Sequence, residues 1–162
     1  MPIREVSYTS RQHAESLTGE PDTAVISITD PGQTDASLSP VFKDVLRLSF
    51  YDAIPADEYL PAPFPGLFDR EMARKISSFA EKWQAADEAT SIVVHCEFGI
   101  SRSAAVALFI EALSAAPLNA REFSYDANQW VIEKLLCTAP QLEIDLPVRT
   151  SANERREKLR IS

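Results

Sequence analysis

One stretch constrains the fold more than any other. In SIVVHCEFGISRSAAVALFIEALSA, residues 91–115, a short β-branched run (91–96) passes through a brief loop into a helix-forming run (101–115) that is apolar nearly all round. The first run reads as a strand buried on both faces, the second as a buried helix. A strand covered on both sides and followed by a buried helix belongs in a layered α/β domain. The expected class is therefore α/β: a single domain with a mainly parallel central sheet flanked by helices on both faces. A chain of 162 residues suits one such domain and is short for two.

The remaining segments agree with alternating strands and helices. IREVSYTS (3–10), AVISITD (24–30) and DVLRLSF (44–50) read as strands, the second ended by the turn signal Asp-Pro-Gly. SRQHAESL (10–17) reads as a short helix. Residues 55–65 carry four prolines and cannot form regular structure. In residues 67–88, Phe68, Met72, Ile76, Phe79, Ala80 and Trp83 recur at helical spacing opposite charged residues, which predicts an amphipathic helix. A last helix is expected over 125–139, with Trp130, Val131 and Leu135 inward and Cys137 packed. The core domain is expected over 1–148. Residues 149–162 are charged and poor in apolar residues, and read as a solvated helix or frayed end.

Composition removes several function classes. No segment has the roughly 18 continuous apolar residues of a membrane span, and the first 15 residues lack the apolar core of a secretion signal. The expected setting is cytoplasmic, with no membrane partner. A formal charge of −8 argues against binding a nucleic-acid backbone. Two cysteines make no disulfide framework, and with two scattered histidines they make a poor metal site. No cofactor is expected.

The polar residues between the two apolar runs carry the chemistry. CEFGIS (96–101) joins the carboxyl end of a buried strand to a helix N-terminus, where unbonded N–H groups and a partial positive charge favour an anion, phosphate above all. Gly99, one of four glycines in the chain, lets the backbone curl so that successive N–H groups converge. The nucleophilic form of cysteine is the thiolate, which such surroundings favour, and they hold Cys96. Arg102 offers a planar fork for two phosphate oxygens. Ser103 can donate a hydrogen bond to the sulfur and help it leave. His95 is expected to point inward and hold the loop backbone. These parts suit attack of sulfur on phosphorus, followed by hydrolysis of the thiophosphate.

HCEFGISRS, residues 95–103, resembles the His-Cys-x5-Arg-Ser/Thr signature of the cysteine-dependent protein tyrosine phosphatase superfamily. GISRSAAVA is closest to its dual-specificity branch, and a weaker likeness spans roughly residues 23–137. The resemblance implies Cys96 as nucleophile, Arg102 as phosphate clamp and Ser103 as an aid to turnover. It also implies a phosphate-binding loop of Glu97, Phe98, Gly99, Ile100, Ser101 and Arg102, with His95 in support.

The resemblance further implies an acid that protonates the leaving alcohol, an aspartate after the strand that precedes the long helix. Asp52 directly follows that strand and is the choice, with Asp57 in reserve. The Pro-rich 55–65 segment accounts for a spacing from Asp52 to Cys96 longer than the branch usually shows. Tyr51, Tyr59 and Phe64 could reach a substrate ring. None of the variable loop positions Glu97, Phe98 and Ile100 is basic, which disfavours phosphoinositides and RNA 5′-triphosphates. The expected substrate is a phosphorylated protein, phosphotyrosine first and phosphoserine or phosphothreonine next, or a small aryl phosphate. The alternatives are a non-catalytic phospho-binding module and a rhodanese-like sulfurtransferase.

Overall fold

A computed structural model describes residues 2–54 and 65–161. Asp57, Tyr59 and Phe64 lie outside the described residues. Four strands, β1 (Ile3–Ser10), β2 (Thr23–Thr29), β3 (Asp44–Ser49) and β4 (Thr90–Cys96), form one sheet in the order β1-β4-β2-β3. Every pairing is parallel. The expected α/β class and parallel sheet are what the chain adopts.

Side-chain alternation splits the sheet into two unlike faces. Ile26, Ile28, Leu48, Ile92 and Val94 enter the main apolar core. Against that face lie α2 (Arg70–Gln84) and α3 (Arg102–Ser114), and α4 (Gln129–Thr138) packs on both helices. Every residue of α3 from Arg102 to Ile110 is buried, because the helix is enclosed by β1 and β4 on one side and α4 on the other. An all-round apolar sequence is the natural tenant of such a position. The opposite face is covered by the short α1 (Arg11–Ser16) and the segment that follows β2. Arg47 donates to Ala36 O at 3.2 Å, Arg11 to Asp35 O at 3.1 Å, and Ser37 N–H to Glu15 at 2.8 Å. That cover is polar, and it shields Ser27 and His95.

Capping explains where helices begin. Asp69 accepts from Met72 N–H at 2.9 Å and starts α2, so the helix expected from residue 67 begins later. Phe68, just outside it, is buried with its ring 4.7 Å from that of Phe50. The last helix is corrected more strongly. Residues Arg121–Asp126 form a 3-10 segment, and α4 starts only at Gln129, because Asn128 accepts from Val131 N–H at 3.1 Å. Val131 and Leu135 are inward as expected, but Cys137 is exposed rather than packed. It lies on the far side of α4 from the buried positions 131, 132 and 135.

The charged tail forms α5 (Ser151–Ile161) and is tied down rather than frayed at its start. Asn153 is 5% exposed and donates to Val148 O at 2.9 Å and Glu122 O at 3.2 Å. Among the described residues no helix is long and apolar enough to cross a membrane.

Candidate active site

A parallel sheet points all its carboxyl ends one way, and each of the four strands contributes to one place. β4 ends on Cys96, 2% exposed. Its Sγ lies 3.1 Å from Ser103 Oγ and accepts from Gly99 N–H at 3.3 Å. The loop therefore curls back over its own cysteine.

The end of β1 forms the back wall of that loop. Gly99 has φ +72°, and a Cβ there would sit 2.5 Å from Ser10 N and Thr9 C and 2.9 Å from Thr9 O. Only glycine fits, both for its left-handed backbone and for the backbone beside it. Arg11 N–H donates to Glu97 O at 3.2 Å, and the Arg11 guanidinium stands 3.8 Å from the Glu97 carboxylate. Phe98 and Ile100 project outward, 77% and 45% exposed.

The ends of β2 and β3 grip Arg102. Its side chain is 4% exposed, and one terminal nitrogen donates to Asp30 Oδ1 at 2.6 Å and to Phe50 O at 2.7 Å. Its Nε is buried with no hydrogen-bond partner among the described residues. A buried donor left unpaired is costly, and this one lies on a fork suited to an oxyanion. The sequence marks Asp30 only as part of a turn. Its position at the carboxyl end of a parallel strand was the signal available, but its pairing with a residue 72 positions away is not visible in a one-dimensional pattern.

His95 is fully buried on the polar face of the sheet. Its Nδ1 is 3.3 Å from Cys96 O and its Nε2 is 2.6 Å from Ser27 Oγ. A carbonyl only accepts, so Nδ1 carries the proton and Ser27 donates to Nε2. Desolvation by burial, opposed in part by the bond to the Cys96 carbonyl, holds the imidazole below its ordinary pKa and so neutral. The ring thus points inward and contacts the main chain at the start of the loop.

Asp52 stands beside the last residue of the loop. Its Oδ1 accepts from Ser101 Oγ and from Asn128 Nδ2, each at 2.8 Å. Ser101 is the N-cap residue of α3 but gives the helix no side-chain cap. Its hydroxyl is engaged by Asp52, so the first amides of α3 have no capping side chain. Asp52, Ala53, Ile54, Ser101, Asn128 and Gln129 line a cleft of about 410 Å³ next to the loop. A larger groove of about 560 Å³ between α2 and β3, lined by Leu46, Arg74, Ser78, Phe79 and Lys82, shares no residue with the loop and contains no cysteine. Tyr51 packs on Gly66, to whose carbonyl its N–H donates at 2.8 Å. Among the described residues no group of three or more His, Cys, Asp or Glu side chains is placed to hold a metal ion.

The fold and site together define a class: a parallel α/β domain with a cysteine, a curled amide loop and a buried arginine at the carboxyl edge of its sheet. No protein-family model matches the chain, and no curated protein matches it significantly.

Proposed function

We propose that the chain is a cysteine-dependent phosphatase that hydrolyses aryl phosphates, phosphotyrosine first among them, through a cysteinyl-phosphate intermediate. One observation carries the reading. A buried guanidinium with an unpartnered Nε and a cysteine sulfur engaged by an amide and a hydroxyl belong to one loop at a helix N-terminus. Such an arrangement suits a tetrahedral oxyanion bonded to sulfur.

In this reading the phosphoryl oxygens take the loop amides and the open edge of Arg102. The Cys96 sulfur attacks phosphorus as the thiolate, the ester P–O bond breaks, and Asp52 gives the leaving oxygen a proton. Water then attacks phosphorus, returns a proton to Asp52, and the S–P bond breaks. Ser103 donates to the departing sulfur. The mouth of the site supports the choice of an aryl phosphate. Glu97, Phe98 and Ile100 place no cation there to meet further phosphates, and the exposed Phe98 and Ile100 offer apolar surface to an aromatic ring.

The test is hydrolysis of p-nitrophenyl phosphate without added metal, by the wild type and by Cys96→Ser, across roughly pH 5–8. Turnover by the wild type and none by the variant is expected. A wild type that binds a phosphotyrosine peptide without turnover would make the site a binding module. Turnover of thiosulfate in place of aryl phosphate would make it a sulfurtransferase.

A further inference from the structure

A carboxylic acid that protonates a leaving group must carry its proton on the oxygen facing that group. We infer that Asn128 is the positioning residue that sets this for Asp52, by holding Oδ1 as an acceptor and leaving Oδ2 to bear the proton. The inference rests on the phosphatase reading above.

The orientation of Asn128 is determined by its neighbours. A backbone N–H can only donate, and that of Val131 bonds to Asn128 Oδ1 at 3.1 Å. The amide oxygen is thereby committed to the start of α4, and the amide nitrogen must face the other way. That nitrogen, a donor only, reaches Asp52 Oδ1 at 2.8 Å and Ala53 O at 3.4 Å. Ser101 Oγ reaches the same Oδ1 at 2.8 Å. With both donors on Oδ1, that oxygen is the acceptor of the pair, and Oδ2 is the oxygen left to carry the proton when Asp52 serves as the acid.

Asn128 also fixes where the acid stands. It is 7% exposed, and its main-chain N–H donates to Ser101 O at 3.1 Å. One residue thus joins the start of α4, the end of the phosphate loop and the acid. Without it, Asp52, exposed on an irregular segment, keeps only the Ser101 hydroxyl of these two donors. In the first step the Asp52 Oδ2–H bond breaks as the ester oxygen leaves phosphorus and takes the proton. The S–P bond forms in the same step and the carboxylate remains. Asn128 makes no hydrogen bond to Cys96 or Arg102, so its loss should harm proton delivery and spare the cradle.

The choice of leaving group separates the two. Dinitrophenolate departs without a proton, whereas phenolate needs one. Asn128→Ala removes the donor. Asn128→Asp keeps an oxygen to cap Val131 N–H but has no donor for Asp52. Both are compared with the wild type for kcat/KM on phenyl phosphate and 2,4-dinitrophenyl phosphate, with melting curves alongside. A general acid contributes about 100-fold or more, so a loss of about 10-fold or greater on phenyl phosphate and under about 3-fold on the dinitrophenyl ester is expected. Asp52→Asn should show the same selectivity, and Asn128→Ala should add little on top of it.

Equal losses on both substrates, or no loss on either, overturn the role of Asn128. So does an Asp52→Asn variant without leaving-group selectivity, and in both cases wild-type turnover leaves the phosphatase reading standing. A wild type inert on both esters overturns the phosphatase reading and this inference with it.

Discussion

Gly99→Ala should disable the loop, and the structure sets the size of the effect. At φ +72° an alanine costs roughly 1–2 kcal/mol relative to its preferred backbone. Its Cβ would also fall 2.5 Å from two backbone atoms of Thr9 and Ser10, well inside any real carbon contact. Those atoms belong to the end of a paired strand and cannot swing aside as a side chain would. Either β1 or the loop must move, at a further cost of about 1–3 kcal/mol. A total near 3 kcal/mol corresponds to a fall in Tm of about 6–12 °C for a domain of this size. The Gly99 amide that points at Cys96 Sγ would shift with the loop. Circular dichroism melting would read the stability. Competitive inhibition of p-nitrophenyl phosphate hydrolysis by inorganic phosphate would read the cradle. A variant with unchanged Tm and unchanged phosphate inhibition would refute the close approach of loop and strand on which the site is built.

Two other perturbations test separate parts. Ser103→Ala removes the hydroxyl 3.1 Å from Cys96 Sγ, and a hydrogen bond to a charged group is worth about 1.5–3 kcal/mol, so kcat should fall roughly 10- to 100-fold. In the proposed mechanism the lost contact aids departure of sulfur, so stopped-flow traces should show a burst of p-nitrophenol, and a slow first step with no burst would contradict that role. His95 bears on stability rather than turnover. Its folded pKa is depressed below 6.5, so the unfolded chain binds the proton more readily, and the contribution of His95 is full above about pH 6.5 and lost progressively as pH falls below it. Urea unfolding of wild type and His95→Asn should show a shallower decline below that pH in the variant, and parallel declines would contradict a buried neutral imidazole.

Local order along the chain decided a great deal. A β-branched run, a six-residue loop with one glycine and an apolar helix sufficed to predict β4, α3 and the loop between them. They also placed Cys96, Arg102 and Ser103 together, because these groups are contiguous and their geometry is set by one strand end and one helix start. The strands β1, β2 and β3 were legible from alternation, and α2 from its 3.6-residue stripe. Boundaries were less legible: α4 begins at Gln129 because the Asn128 side chain caps it, a contest between local hydrogen bonds that apolar periodicity does not register.

What tertiary structure alone decided is which distant groups meet the loop. Sheet order β1-β4-β2-β3 seats the Cys96 strand between β1 and β2, and parallel pairing brings every carboxyl end to one edge. That is why Thr9 and Ser10 wall in Gly99, and why Asp30 and the Phe50 carbonyl hold Arg102. The return of the chain through α4 brings Asn128 to Asp52, 76 positions away. No residue pattern records such pairings, since they depend on the order in which strands are laid side by side, whereas the strand, loop and helix of residues 91–115 follow one another in the chain.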